Sequence, residues 1–360
     1  MIGTILKREI LNYLKNPIYY IGAVLVFINI YSYAAPYLNI HYFTRENEIK
    51  ILDYDTGLAD ADIMDGYIPV SVKEMYQLGL DRIGNVLDEE LNMTTEDAQA
   101  VVQKLKESNM SIDQMAAYLE EHYSFGGAQL YFYKKCIKKA TVEEANSYIK
   151  SELKKESYSS YFSRKYVDYF AVCLVFYAIV LFAFLFLKES KKDIYELLHT
   201  KPIEPWKYIA GKIAGGLAAI LLAAGIITVI FDVMVVSHGI TAGFPVSVWD
   251  LWYALLIYIL PDLLMVISVY TVVAILFKNP LPAAPALVLY VIYSNMGSRV
   301  SEDCPTSYRI PKLAIMVRFA DTFFETTVPA QAVINQIFLV GASVLMMIIS
   351  SMIWKRRRHF

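Results

Sequence analysis

Long stretches without charged side chains constrain this chain more than any other feature of its sequence. A helix that crosses roughly 30 Å of hydrocarbon needs about 20 apolar residues, and such a stretch runs from Asn16 to Thr44 without one Asp, Glu, Lys or Arg. The charge-poor stretches predict six membrane-spanning helices, at 17–38, 169–187, 208–232, 249–277, 281–298 and 332–354. We therefore expect an all-α polytopic membrane protein.

The composition excludes several other classes. With 56% hydrophobic and 19% charged residues, the chain is more apolar and less charged than ordinary soluble domains, which hold about 25% charged residues. It is not a disordered, collagen-like or disulfide-stapled protein, and its net charge of −2 supplies no basic field for nucleic acid. The first apolar stretch is too long for a secretory signal peptide.

Lysine and arginine are unevenly distributed between the predicted loops. With both termini inside, the inner segments hold 14 basic and 5 acidic residues, a net charge of +9, whereas residues 39–168 hold 15 basic and 23 acidic residues, a net charge of −8. Basic residues concentrate on the cytoplasmic side of membrane proteins. The charges therefore predict a plasma-membrane protein with both termini cytoplasmic, a basic tail at 355–360 and an extracytoplasmic domain at 39–168.

Residues 1–16 carry an amphipathic pattern ahead of the first span. Apolar side chains recur there at helical spacing, and Lys7, Arg8 and Lys15 lie on other faces. A helix of this kind fits the cytoplasmic interface and contacts membrane lipid. The alternative is an extension of the first span, against which the pair Asn16–Pro17 predicts a break.

The domain at 39–168 is predicted to be mostly helical. Thr94, Ser111 and Thr141 each begin a segment with helix-capping character, and the first third is rich in Asp and Gly and is expected to be irregular with short strands. At about 130 residues, the segment has the size of an ordinary domain.

The predicted outer segments hold two candidate sites. The acidic run that begins at Asp53 has Gly57 one position too early for a calcium-binding loop and Met64 where that loop has its Glu. A solvated acidic loop is favoured, and no metal site is predicted. Cys136 and Cys304 both fall outside in this topology, so a disulfide is allowed, although nothing in the sequence brings them together.

The segment 188–207, between the second and third predicted spans, carries the most specific motif. Leu197 and Leu198 belong to a short apolar edge flanked by acids, and Pro202 ends that helix while Pro205 can begin the next. A protruding amphipathic helix here would fit a groove on a cytosolic partner. A basic connector that only joins two spans fits the topology equally well.

This segment resembles the corresponding loop of ABC-2 type transporter permeases. The resemblance is carried by Glu189, Asp193, Glu196-Leu197-Leu198, Thr200-Lys201-Pro202-Ile203 and Gly211-Lys212. The order of parts agrees as well: an interfacial helix, six spans, a large outer segment after the first span, and a re-entrant-looking stretch before the last. The sequence departs from the family pattern where Lys191 or Lys192 replaces the usual Arg and Ile194-Tyr195 replaces Gly-Thr.

The resemblance implies the membrane subunit of an ABC transporter, of the kind that exports a peptide, lipid, drug or ion from a bacterial cell. Such a permease would pair with a second copy or a related permease. Two cytosolic ATPase subunits would dock on the N-terminal helix and on the helix at 193–203. The residues implied in coupling to the ATPase are Asp193, Glu196, Leu197, Leu198, Thr200, Pro202 and Ile203.

Nucleotide chemistry is expected in the partner rather than in this chain. The sequence contains no GxxxxGK[ST] phosphate-binding loop, and Gly211-Lys212 opens an apolar span instead. ATP and Mg²⁺ are therefore expected to bind the ATPase subunits, and no cofactor or enzymatic activity is predicted here.

Within the fourth predicted span, Asp262 follows Pro261. Intramembrane carboxylates are costly and tend to face a bundle interior or water, and proline can kink a helix. Pro261 and Asp262 are therefore candidates for the transport pathway. The alternative is that the span lies deeper and Asp262 reaches a wet pocket.

Residues 299–331 are predicted to hold one or two short helices. In the permease family the equivalent stretch dips into the outer leaflet and helps to close the pathway. From periodicity alone, these helices could equally lie on the surface.

A membrane receptor or sensor is the competing interpretation. Its acidic outer domain would bind a ligand and the loop at 188–212 would signal. No Ser–His–Asp arrangement, HExxH motif or carboxylate pair indicates an enzyme, and no ring of charges indicates a channel. An ATPase that co-purifies with the chain would favour the permease.

Overall fold

The computed structural model describes residues 2–51, 61–89, 91, 93–108, 110–133, 137–184, 187, 204–300 and 307–357. Within these ranges the chain is mostly α-helical and has two small antiparallel sheets. The architecture is that of an all-α polytopic membrane protein, as the sequence predicts.

A short break separates the first two helices. These are α1 (Ile2–Leu14) and α2 (Pro17–Ala34), the second of which continues into the 3₁₀ turn Ala35–Asn39. The side-chain oxygen of Asn16 accepts the backbone N–H of Ile18 at 3.1 Å and so caps α2. Because the helix is interrupted here, α1 can leave the direction of α2 and pack against a later helix.

The residues between this turn and the next long helix, 40–157, form an inserted domain. In chain order its helices and strands are β1 (Tyr67–Pro69), α3 (Val72–Glu89), α4 (Thr95–Glu107), α5 (Ile112–Tyr123), α6 (Gln129–Tyr133), β2 (Ile137–Lys139) and α7 (Val142–Glu152). β1 and β2 pair antiparallel. The helices α3 to α6 lie between the two strands in sequence and share a core of their own, which includes Leu80, Leu119 and Phe132.

Side-chain caps explain where three helices of the inserted domain begin. Ser111 and Thr141 each form a complete capping box. The hydroxyl group accepts the backbone N–H of the residue three positions later, and the side chain of that residue accepts the backbone N–H of the Ser or Thr. The Thr94 hydroxyl accepts the backbone N–H of Asp97 at 3.2 Å. These are the caps that the sequence predicts.

The remaining helices form a bundle. They are α8 (Tyr158–Ala183), α9 (Pro205–Ala242), α10 (Asp250–Ala254), α11 (Leu260–Phe277), α12 (Ala283–Ser294) and α13 (Ala332–Arg357). A π-helical turn, Leu255–Ile259, joins α10 to α11 directly before Pro261, so the two make one interrupted helix. α8 is buried along most of its length, whereas α2 and α13 keep broad apolar faces exposed.

Five helices in the described part of the chain are long and apolar enough to cross a membrane: α2 with its 3₁₀ turn, α8, α9, the interrupted α10–α11 helix, and α13. The prediction of six full spans is not confirmed. Instead of a helix over 281–298, the structure has α12, whose 12 residues reach only about 18 Å at 1.5 Å per residue. Pro280 and Pro282 precede the helix, Pro285 lies in its first turn, and its last residue is Ser294.

Two helices are longer than the predicted spans. α8 begins at Tyr158 rather than at 169 because its charged residues find partners inside the protein, as described below. α9 continues past Asp232 and ends only where Gly243 adopts φ 72°, a left-handed conformation that suits glycine. The predicted span stopped at Asp232 because of its charge, but a charged residue does not end a helix.

The prediction of short helices in 299–331 is wrong for the described residues of this range. The structure has a hairpin of β3 (Ser298–Val300) and β4 (Ser307–Arg309), then a return segment (residues 310–331) with a single 3₁₀ turn, Phe323–Glu325. Side chains of other elements accept its buried N–H groups: Ser294 that of Ile315, Asp168 that of Phe319, and Asp62 that of Phe323. A buried backbone with such partners does not need helical hydrogen bonds.

Candidate functional site

The residues implied in ATPase coupling lie outside the described part of the chain. This applies to Asp193, Glu196, Leu197, Leu198, Thr200, Pro202 and Ile203. Cys136 and Cys304 lie outside it as well. α9 begins at Pro205, two residues after the last of the implied coupling residues.

α1 packs closely against the first turns of α9 at two glycines. A Cβ atom added to Gly211 would lie 3.0 Å from Cβ of Ile5, and one added to Gly215 would lie 2.6 Å from Cβ of Glu9. Real side chains do not approach as closely as the second distance, so only glycine permits this approach at Gly215. The two helices are therefore in contact through the α9 backbone.

A buried ion pair joins the same two helices. Glu9 Oε1 lies 3.7 Å from Lys212 Nζ, and the two residues are 8% and 1% exposed. The ammonium group also lies 5.8 Å from the ring centroid of Tyr208, whose ring packs at 4.7 Å on that of Trp354 from α13. These four residues, which we call the basal cluster, connect α1, α9 and α13.

The sequence holds a signal for the basal cluster that the pattern analysis missed. Glu9 lies four residues after Ile5 and four before Tyr13, so it is an acid within the apolar stripe of α1. Lys212 is likewise a charge that follows the start of an apolar helix and lies between Gly211 and Ile213. Two opposite charges that each lie within an apolar pattern are candidates for a buried ion pair, and the sequence alone offers Glu9 and Lys212 as such a pair.

The basic residues of the N-terminal helix take no part in this cluster. Lys7 and Arg8 lie on the exposed face of α1, and Lys15 is exposed just after its end. Leu11, on the same side, is 44% exposed. α1 therefore presents a basic and partly apolar face away from the bundle.

Pro261 and Asp262 are buried on α11, and Asp262 is 0% exposed. The structure brings Gln336 of α13 beside the Asp262 carboxyl group, a neighbour that the sequence analysis did not name. Neither carboxyl oxygen has a hydrogen-bond partner in hydrogen-bond geometry. The signal in the sequence for this neighbour is Asn335-Gln336, a polar pair at the start of an apolar helix.

At the other end of the bundle, Asp168 of α8 holds the return segment by an ion pair. Arg318 Nε lies 2.6 Å and Nη2 3.3 Å from the two Asp168 oxygens, and the backbone N–H of Phe319 donates to Oδ1 at 2.8 Å. Arg318 also donates to Asn295 Oδ1. Asp168 is 1% exposed, so this is a buried, two-pronged charge pair.

Two basic residues of α8 hold the same segment further along. Lys165 Nζ donates to the carbonyl oxygens of Phe319, at 3.2 Å, and Asp321. Arg164 Nε donates to Thr326 Oγ1 at 3.1 Å. The polar residues near the start of α8 thus anchor the return segment rather than face solvent.

The inserted domain holds the return segment from its other side. Asp62 Oδ2 accepts the backbone N–H of Phe323 at 2.8 Å, and the hydroxyl of Tyr148 donates to Glu325 Oε1 at 2.5 Å. Burial raises the pKa of Asp62 to about 6 and raises the pKa of Glu325 above its ordinary value. The 3₁₀ turn Phe323–Glu325 is therefore enclosed between the inserted domain and α8.

Across the described ranges, no group of three or more His, Cys, Asp or Glu side chains is arranged to hold a metal ion. The contacts of the site are instead ion pairs and hydrogen bonds that join helices.

The comparison with protein families matches residues 4–355 to the family described as ABC-2 family transporter protein. The comparisons with curated proteins and with solved structures find no match. The family match spans all the described helices and the coupling loop, and it confirms the family that the loop motif indicates. The chain therefore belongs to the ABC-2 transporter family, the membrane components of ABC transporters.

Proposed function

We propose that this chain is an exporting permease, which encloses a membrane pathway with a second copy or a related permease and is driven by two cytosolic ATPase subunits. The family implies partnership with ABC ATPases in general. The observation that carries the finer proposal is the contact of α1 with α9 through Gly211, Gly215 and the pair Glu9–Lys212. This contact lies at the helix end that directly follows the coupling loop.

The contact supports the proposal that the coupling loop moves α1 and α9 together at the cytoplasmic end. α9 begins at Pro205, two residues after the last implied coupling residue, Ile203. Because the side chains of Ile5 and Glu9 on α1 lie directly against Gly211 and Gly215 of α9, a push on the loop would move both helices together. The exposed Lys7 and Arg8 would then face the ATPase and the lipid headgroups.

The charge distribution supports the cytoplasmic placement of this end. The basic C-terminal turn of α13 lies near the basal cluster, because Trp354 packs on Tyr208. Arg357 Nη2 donates to the carbonyl oxygen of Leu276 at 2.8 Å, at the end of α11. The basic residues of the N-terminus and of α13 thus share one end of the bundle, as the positive-inside rule predicts.

The return segment supports an outer barrier. Apart from one 3₁₀ turn its backbone is irregular, and its middle part is largely buried and held by Asp168, Lys165 and Asp62. Irregular backbone at membrane depth is tolerated where protein buries it or where it lines a cavity. An export cycle would require this segment to move when substrate leaves, and peptides, lipids, drugs and ions remain the substrate classes to test.

The receptor interpretation is less well supported. The family match covers both the inserted domain and the loop at 188–212, so neither part is foreign to a transporter.

Purification of the tagged full chain from its native membrane tests the proposal. We expect a subunit with a phosphate-binding loop to co-purify and to hydrolyse ATP. Replacing Glu196→Ala and Leu197→Ala together should release that subunit, whereas the matched pair Glu120→Ala and Glu121→Ala, exposed in the inserted domain, should retain it. Retention of the ATPase by the first pair, or the lack of any ATPase with the wild type, would contradict the proposal.

A further inference from the structure

Asp262 and Gln336 bring two unpartnered polar side chains together inside the bundle. Asp262 on α11 is 0% exposed and Gln336 on α13 is 7% exposed. The carboxyl oxygens of the first and the amide oxygen and nitrogen of the second all lack a hydrogen-bond partner. Buried polar atoms are nearly always paired in proteins, so four such atoms at one place require an explanation.

The position of Asp262 makes a free charge costly. It lies twelve residues after Asp250 and fifteen before Phe277, the two ends of the interrupted helix that is long enough to cross a membrane. At 1.5 Å per residue these separations are about 18 and 22 Å, which places the carboxyl group near mid-depth. An ionised carboxylate there costs several kcal/mol unless it is paired.

The neighbouring helices supply no compensating charge. In the described structure Asp262 forms no ion pair, and no Lys, Arg or His of α8, α9, α12 or α13 is among the groups that act on its carboxyl group, where Gln336 lies beside it. From α12, Tyr290 interacts with it electrostatically, but the Tyr290 hydroxyl donates to the carbonyl oxygen of Leu313 at 2.5 Å. An ionised Asp262 carboxylate would therefore have no compensating positive charge beside it.

One proton would satisfy all four orphaned atoms. A protonated Asp262 can donate its O–H to Gln336 Oε1 while Gln336 Nε2–H donates to the Asp262 carbonyl oxygen, which gives a neutral acid–amide pair with two hydrogen bonds. A divalent cation needs six or more oxygen ligands, and Asp262 with Gln336 offers three. We propose that Asp262 and Gln336 form an intramembrane proton-binding site that is occupied while α11 and α13 are packed together.

The site would follow the packing of the two helices. If α11 and α13 separate enough to admit water, Asp262 gives its proton to a water molecule and becomes a hydrated carboxylate. When the helices close again, the carboxylate takes one proton back from water. The inference does not depend on the substrate or on the ATPase, because it concerns only the packed state of this chain.

Infrared spectroscopy of the full chain in lipid nanodiscs at neutral pH tests the proposal. The spectrum of the wild type minus that of Asp262→Asn should contain the C=O band of a protonated carboxylic acid, shifted in heavy water. Asp262→Asn should fold, because an amide reproduces the shape and both hydrogen bonds of the acid. The variant Asp113→Asn, at an exposed position of the inserted domain, should leave that band unchanged.

A second variant tests the partner. Gln336→Leu should keep the carboxylic acid band but move it to the frequency of a C=O group without a hydrogen bond. A difference spectrum that holds only carboxylate bands would overturn the proposal. So would a band that disappears on titration with Na⁺, K⁺ or Mg²⁺ at constant pH, because the site would then bind a metal cation.

Discussion

Glu9 of α1 and Lys212 of α9 form an ion pair beneath the surface, with 3.7 Å between Oε1 and Nζ. The pair stands where the N-terminal helix crosses the glycines of α9, so it fixes the helix that precedes the first span to the helix that follows the coupling loop. This end of the bundle is thereby one packed unit of α1, α9 and the last turns of α13.

Removing one partner of this pair should destabilise the protein more than removing both. Glu9→Leu leaves the Lys212 ammonium group buried without its carboxylate, at a cost of about 3–5 kcal/mol. The double variant Glu9→Leu with Lys212→Met should recover much of that loss, because two apolar side chains of similar volume remain. Thermal unfolding in detergent compares both variants with the wild type. Equal losses in the single and double variants would show that the two charges do not depend on each other.

A methyl group at Gly215 should push α1 away from α9. The added Cβ would meet Cβ of Glu9 at 2.6 Å, and overpacking of this kind costs about 1–3 kcal/mol. The matched control is Gly341→Ala in α13, where nothing lies within 4 Å of the added atom. Hydrogen exchange of α1 should rise in Gly215→Ala and stay unchanged in the control. Unchanged exchange in both would mean that the close contact of the helices is not needed to hold α1.

The buried charge pair of Asp168 and Arg318 should hold the return segment in place. Arg318→Leu leaves the Asp168 carboxylate with only the N–H of Phe319, and the loss of a buried partner costs about 3–5 kcal/mol. We expect the segment to become sensitive to protease while the helices of the bundle stay intact. Lys312→Leu, at an exposed position of the same segment, is the control and should remain resistant. Resistance in both variants would contradict the assignment.

The contact of Asp62 with the return segment should strengthen as the pH falls from 7 to 5. Burial, together with Asp65, raises the pKa of Asp62 from 3.8 to about 6, against the opposing charge of Lys165; Tyr37 and Tyr148 also face the carboxyl group. The packed state therefore binds the proton more tightly than the released state, and its stability is lost as the pH rises through about 6.

The expected gain between pH 7 and pH 5 is about 1 kcal/mol for Asp62 alone, from a pKa of about 6 in the packed state and an ordinary pKa near 3.8 in the released state. Glu325 adds a gain of the same sign, since burial raises its pKa too. Protease resistance of the return segment across this range should lose most of its pH dependence in Asp62→Asn. A wild type whose segment loosens on acidification would have the opposite sign and would refute this prediction.

Local signals in the sequence predicted the helices well. Hydropathy located the long helices because a membrane span must be apolar over its whole length, and Ser111 and Thr141 capped helices because their hydroxyl groups act within one turn. The Glu-x-Leu and Thr-x-Pro-Ile pattern of the coupling loop indicated the family, which the match over residues 4–355 confirmed.

Contacts between residues that lie far apart in the sequence could not be predicted from such local signals. Asp168 meets Arg318 across 150 residues, and Asp62 meets Phe323 across 261 residues. Those contacts replace helical hydrogen bonds in the return segment, so apolar periodicity there predicted helices that the protein does not form. Pro280 and Pro282 lie before α12 and Pro285 lies in its first turn, but local signals did not predict that the helix ends at Ser294.

The most direct test of the account asks whether ATP at the inner end moves the return segment at the other end. Spin labels at the exposed positions Lys154 and Lys312, in a chain with Cys136, Cys173 and Cys304 replaced by Ser, report the distance between the inserted domain and this segment. In the complex with its ATPase, the account predicts that Mg-ATP changes this distance in the wild type and not in the Glu196→Ala, Leu197→Ala variant. A distance that stays the same while the wild-type complex hydrolyses ATP would contradict the account.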